Sequence, residues 1–526
     1  MTDQPVPVDP QALEIPFRTV GAALVDFARR HPDKTAIRNV DRDVTLDFST
    51  LLNLVEDAAA RMAALGVRRG SRVAVLSGEC VEKLVLMLAA MRCGASACPF
   101  HAEISPDHLR GILRAISPAL VVWRADVDGA ALTSGLTCPD MPFDGFGGTA
   151  GFFAMPADRS LLPAAGTEYG PGDEGCIFAT SGTTDRPKCV VWDHLGLWLC
   201  GLSTIHFTAM TADDRLLEYR TFSWLSPQIV TFMPFLSLGL TVVMAESFSR
   251  SRFFDWIERE RVTVAAGVPT VINMLIDQPV DLRDRDVSSL RLIMASSAPL
   301  APNRWRQFEA DYRIRVLQFY GASEGGWLCG NRVDKCRIGT AGPPARHMDL
   351  AILGPDGLPC PAGTEGEIAM RGAQTAIATI SADGVWEDRT PTRLVEWSRV
   401  GDLGIMDGDG FVTVTGRVKD VILRGGVSIA PLEIDAAVMR HPGVHEAAAI
   451  GVPDSIWGEE IACYVVARQG HAPTSQEISD HAARLLPDFK RPRHVVFVDS
   501  LPRNARGKVR RDDLKALWSA NGVAGT

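Results

Sequence analysis

Long apolar runs are missing from this chain. Its most apolar window, around residues 236–245, is half the roughly 20 residues that a helix needs to cross a bilayer. Basic charge is not in excess either. The 54 Lys and Arg stand against 63 Asp and Glu, a formal net charge of −9, which leaves no broadly basic face for nucleic acid. The opening residues, MTDQPVPVDPQALEIPF, offer neither the basic start nor the apolar core of a signal peptide. The eleven cysteines include no Cys-x-x-Cys pair, their number is odd, and Cys80, Cys93, Cys98 and Cys176 sit in apolar segments. Reduced thiols in a cytoplasmic protein are expected. The Walker phosphate loop Gly-x-x-x-x-Gly-Lys-Ser/Thr does not occur, and there are no internal repeats or low-complexity tracts.

What is present is a chain of 526 residues, 46% hydrophobic and 22% charged, enough for several cores and roughly three to four domains. Leu51, Leu52, Leu54, Val55, Ala58, Ala59, Met62 and Leu65 recur at helical spacing and stop at Gly66. A buried strand over 72–76, helices over 81–92 and 106–116 and a strand over 119–123 follow. Such repeated βαβ units predict a largely parallel sheet covered on both faces. Residues 124–172 gather Gly and Pro and read as an irregular connection. Alternation resumes through 262–276 and 290–308, and from about residue 339 short strands with glycine-rich turns take over. After Arg417 a separate α/β segment of about a hundred residues reads as a small domain.

The most informative string is Thr180-Ser181-Gly182-Thr183-Thr184-Asp185-Arg186-Pro187-Lys188, directly after the apolar residues 176–179. Hydroxyls and free N–H groups in a tight turn make a concave anion site, and the lysine adds a point charge for phosphate oxygens. Further along come Tyr320-Gly321-Ala322-Ser323-Glu324, Gly366-Glu367-Ile368, Gly401-Asp402, the run GRVKDVILRGGVSIAPLE over 416–433, and Leu501-Pro502-Arg503-Asn504-Ala505-Arg506-Gly507-Lys508. Weaker strings are Val268-Pro269-Thr270 and Gly451-Val452-Pro453-Asp454.

In order and spacing these strings resemble the adenylate-forming (AMP-binding) superfamily, in its acyl-CoA synthetase branch, from about residue 18 to 518. The resemblance implies an α/β fold. A large N-terminal domain over 1–416 would hold two α/β subdomains and a distorted β-barrel, with a small mobile α+β domain over 417–526. It implies ATP bound by Thr180, Ser181, Gly182, Thr183, Thr184, Lys188, Tyr320, Gly321, Ser323, Asp402 and Arg417, with Mg2+ on Glu324 and Thr184. Tyr320 would stack on adenine, Glu324 is a hard oxygen donor for a hard cation, and Asp402 would accept from the ribose hydroxyls. Lys508 would be the catalytic lysine, with Glu324 beside it. Lys419 or Asp420 would sit at the hinge, and Gly425 and Gly426 would let the backbone pass close to an incoming thiol.

The implied reaction joins a carboxylic acid to CoA through an acyl-adenylate, with release of pyrophosphate and AMP. Three other readings remain open: an adenylation enzyme that loads a carrier protein, an oxygen acceptor as in luciferases, and a non-catalytic nucleotide-binding or regulatory homologue. Intact Glu324, Asp402, Arg417 and Lys508 speak against the last. A homodimer is also left open, while no nucleic-acid partner and no membrane span are expected.

The chain departs from the family pattern at several positions. Asp185 and Cys189 replace glycines, Ser323 replaces threonine, Ser296-Ser297 stand for Gly-Gly, Ser223 takes a histidine's place, and Asn504 and Arg506 alter the last string. Trp224, Gln228, Ser296, Ser297, Gly321 and Trp327 are candidates for the acyl wall. No Lys or Arg is among them, so a monocarboxylic acid is expected.

Overall fold

A computed structural model describes residues 8–101, 104–180, 188–381, 383–503 and 508–520. Two eight-stranded sheets carry the N-terminal part. In the first, Arg315–Ala322, Leu292–Ala295, Val264–Ala265, Arg215–Glu218, Thr241–Met244 and Thr35–Asn39 run parallel, and Gly326–Gly330 and Val44–Asp47 close the edges antiparallel. In the second, Glu174–Ala179, Ser96–Phe100, Arg72–Leu76, Leu120–Arg124 and Asp140–Phe143 are parallel. Cys189–Asp193, Ala378–Ile380 and Trp386–Asp388 extend it antiparallel.

Helices fill the faces where the sequence turns apolar. Phe48–Ala64 starts at Asp47, whose side chain accepts the Thr50 N–H, and buries Leu51, Val55, Ala58, Ala59 and Met62. Val81–Arg92 is buried on every side, charged residues included, as an all-round apolar helix must be. Its Arg92 is matched by Glu56 at 2.7 Å. The expected irregular stretch 124–172 holds only short pieces, among them Gly129–Thr133 and the 3-10 turn Phe152–Ala154.

A four-stranded antiparallel sheet follows, ordered Asp349–Leu353, Glu365–Arg371, Ser398–Met406 and Val412–Arg417. The last residues form a five-stranded sheet with helices Pro431–Val438, Ser475–Ala483 and Arg511–Ala520. Parallel strands bind ligands outside their carboxyl ends. Thr180, Ser296, Tyr320 and Glu218 all lie at such ends. Among the described residues no helix is long and apolar enough to cross a membrane.

Candidate active site

The phosphate-loop string leaves the strand Glu174–Ala179 and returns through Cys189–Asp193. Thr180 and Lys188 close its neck: the Thr180 N–H donates to the Lys188 carbonyl at 2.8 Å, and the Thr180 hydroxyl donates to the same oxygen at 3.2 Å. Ser181, Gly182, Thr183, Thr184, Asp185, Arg186 and Pro187 lie outside the described residues. Lys188 Nζ meets Glu324 Oε1 at 2.7 Å, so the fold joins the two strings that the resemblance assigns to phosphate and metal. Both side chains are partly exposed, and an ion pair of that kind contributes about 1 kcal/mol or less to stability. Ser323 supports the turn through its carbonyl, which accepts the Trp192 indole N–H at 3.2 Å. Gly321 has no room for a side chain, since a Cβ there would lie 2.1 Å from the Gly326 carbonyl oxygen.

Tyr320, Asp402 and Arg417 form a second group. Asp402 and Arg417 are register partners on adjacent antiparallel strands, and their side chains meet at 3.2 Å. The other Asp402 oxygen accepts the Tyr320 hydroxyl at 2.6 Å. Burial first, and the Asp402 charge next, push the Tyr320 phenol well above its ordinary range, so it stays a donor.

The predicted acyl wall divides. Ser296 is buried, and Ser297 is exposed at φ 73, the left-handed region where glycine is usual. Gln228 is fully buried and opens the π-helical turn Gln228–Phe232, and its amide N–H donates to the Phe222 carbonyl. Trp224 is half-buried. Trp327 is buried, donates its indole N–H to Thr204 at 2.7 Å and packs edge-on against Phe319 at 5.4 Å.

Four charged residues beside this wall escaped the sequence reading. Arg220 reaches Ser296 at 3.4 Å and Ser226 at 2.9 Å, while Glu218 takes its other face at 2.8 and 2.7 Å. Lys83 is bound to Glu79 at 2.6 Å and to Ser223 at 2.6 Å. A Lys and a Glu one turn apart at the start of an apolar helix were the available signal.

In the last sheet Lys419 pairs with Asp512 at 3.3 Å, and Arg511 reaches Asp420 at 4.0 Å and bonds Asp435. Burial raises the Asp435 carboxyl to about 6 against the pull of Arg511. Gly425 and Gly426 have φ of 58 and 80, and a Cβ on Gly425 would lie 2.6 Å from the Trp457 ring. Gly425 borders a cavity of about 590 Å3 that is lined also by Trp457, Phe489, Arg424 and Arg493, among others. Arg424 is held by Glu460 at 2.7 and 2.8 Å over the Trp457 face. Lys508 is half-buried, next to the bridge that pairs Arg503 with Val509; residues 504–507 lie outside the described residues. His445 of this last part faces Asp277 of the N-terminal part at 3.7 Å.

Residues 24–377 match the AMP-binding enzyme family and residues 433–508 its C-terminal domain. The chain is 32% identical to a sulfoacetate–CoA ligase of Cupriavidus necator over 94% of its length and 97% of the relative's. It is also 32% identical to an indoleacetate–CoA ligase of Aromatoleum aromaticum, over 94% and 98%. Among solved structures, ATP-bound MatB from Rhodopseudomonas palustris superposes with a TM-score of 0.85 at 26% identity, covering 95% of this chain and 99% of that one.

Proposed function

This chain belongs to the AMP-binding enzyme family, and from that premise we propose that it is an ATP-dependent carboxylate–CoA ligase. A carboxylic acid attacks the α-phosphate of ATP, pyrophosphate leaves, and the acyl-adenylate then passes its acyl group to the CoA thiol with release of AMP. The observation that carries the reading is the Lys188–Glu324 pair at 2.7 Å, which brings a phosphate-type cation and a metal-type carboxylate to one place from distant strings.

In this reading the loop over 180–188 cradles the triphosphate, and Tyr320 offers its ring to adenine while its hydroxyl braces Asp402. Asp402 and Arg417 take the ribose. Lys508 neutralises charge that builds as two anions approach, the kind of donor whose loss costs about a hundred- to a thousandfold in rate. Mg2+ fits the donor set: Glu324 and the Thr184 hydroxyl are hard oxygens. When bound, it would shield the phosphate charge.

We assign residues 1–416 to the domain that binds ATP and acid, and 417–526 to a mobile domain that turns about Lys419 and Asp420. Turning it must part His445 from Asp277. The cavity beside Gly425 supports CoA as the acceptor, because exposed Trp457 and Phe489 offer faces to a purine and Arg493 a charge to phosphate. A carrier-protein acceptor is the alternative.

The acid is a monocarboxylate. Arg220 and Lys83 do stand by the wall, but Glu218 and Glu79 already neutralise them. The experiment is turnover of a panel of acids with ATP and Mg2+, with and without CoA; dicarboxylates as much the best substrates would overturn the monocarboxylate.

A further inference from the structure

Trp457 is half-exposed and yet fixed from several sides. It stands in the turn 454–458, where the strand Val444–Asp454 folds back into Gly458–Ala467. Asp454 Oδ1 accepts the backbone N–H groups of Ile456 and Trp457, both at 2.8 Å. The Trp457 carbonyl accepts the Gly425 N–H at 2.8 Å. Ile456 is 80% exposed and Trp457 45%, so apolar burial is not what these contacts secure.

Arg424 sits against the ring. It ends the strand Ile422–Arg424, pairs across the sheet with Gly458 and is buried. Its guanidinium carbon lies 4.7 Å from the Trp457 ring centroid, within reach of a cation–π contact. Glu460, also buried, grips the guanidinium by two bonds of 2.7 and 2.8 Å. A buried ion pair gains little stability over apolar residues of similar volume, because both charges must leave water. What the bidentate grip gives is geometry: a planar cation that cannot swing away from the ring. Trp457, Arg424 and Gly425 line the same cavity as Phe489 and Arg493. Its two acids are each met by an arginine, Glu460 by Arg424 and Asp488 by Arg493 at 2.9 Å, so neither repels an anionic ligand unopposed.

We infer that Arg424 is a positioning residue of the thioester step: it backs the Trp457 ring, and the ring holds the adenosine end of CoA. The inference rests on the ligase reading, with CoA in the cavity beside Gly425. Arg424 acts through the ring and not on the CoA phosphates, since Glu460 already takes its charge. Pantetheine carries the same thiol without the nucleotide, so it gains nothing from a well-held ring.

The test compares CoA and pantetheine as acceptors for the full chain, with ATP, Mg2+ and the acid that turns over best. In Arg424→Met, kcat/KM for CoA falls by about fivefold or more, chiefly through KM, and kcat/KM for pantetheine stays as in the parent. In a Trp457→Ala background Arg424→Met costs nothing further. Should Arg424→Met fail to fold, Arg424→Met combined with Glu460→Gln, which leaves no buried charge unpaired, takes its place. Should the parent not accept pantetheine, the Trp457→Ala background decides alone. An equal fall for both thiols overturns the inference, as does an unchanged kcat/KM for CoA or the same loss with Trp457 absent. Each of these sinks the inference alone; no CoA turnover by the parent with any acid sinks the ligase reading and the inference with it.

Discussion

Tyr320 donates its phenolic hydrogen to Asp402 at 2.6 Å, and Asp402 in turn faces Arg417 at 3.2 Å. A residue of the first large sheet is thereby tied to the last two strands of the antiparallel sheet. In the proposed reading the base platform and the ribose acid are thus one hydrogen-bonded unit, so losing the hydroxyl alone has a cost even when the ring remains.

Tyr320→Phe tests that unit. A hydrogen bond to a charged group contributes about 1.5–3 kcal/mol, which at its lower end is roughly tenfold in binding. The KM for ATP in pyrophosphate release rises by about that factor, with a smaller change in kcat. An unchanged KM for ATP means that the hydroxyl does not hold Asp402 for the nucleotide.

Lys508→Ala slows acid-dependent pyrophosphate release by at least about a hundredfold. The thioester step, started from preformed acyl-adenylate and CoA, suffers much less. Single-turnover assays of each half-reaction separate the two, and near-normal adenylation removes Lys508 from its role.

Gly425→Ala acts on the other half-reaction. Its φ of 58 and the Trp457 ring 2.6 Å from the added carbon force strain and a shift. CoA-dependent turnover falls by about tenfold or more, more than adenylation does. Equal loss in both steps speaks against a thiol path beside Gly425.

His194 sets an acid limit on stability. It is stacked on Tyr169 at 3.5 Å, and burial holds its imidazole at about 3 against an ordinary 6.5. Below pH 6.5 the unfolded chain takes up a proton that the native state does not, so stability falls as pH drops from 6.5 toward 3. At pH 5 the loss is about 2 kcal/mol. His194→Phe keeps a stacked ring and removes the proton site. Melting curves at neutral pH and pH 5 should show a smaller drop in Tm for the variant than for the parent.

The elements were legible where local chemistry sets them. Apolar spacing with Gly66 as a stop gave Phe48–Ala64 to within a few residues, and the helix expected over 81–92 is Val81–Arg92. Strings quoted from the sequence also marked the right strand ends, since Thr180 and Tyr320 stand where parallel strands finish. Pairings across the chain were not legible. Lys83 and Glu79, four residues apart, escaped the sequence reading; the partners that meet them, Thr221 and Ser223, lie 138 and 140 residues from Lys83. The same holds for Arg220, whose contact with Ser296 spans 76 residues. Trp327 illustrates the limit from the other side: its position suggested a substrate wall, and its indole N–H is engaged by Thr204 in the core.

The most direct measurement follows pyrophosphate and free thiol together, with ATP, Mg2+ and a panel of acids, in the presence and absence of CoA. The account predicts pyrophosphate release that requires an acid, sustained turnover only with CoA, and loss of one thiol for each pyrophosphate as the thioester forms. Acid-dependent pyrophosphate release with no consumption of CoA thiol for any acid would contradict it.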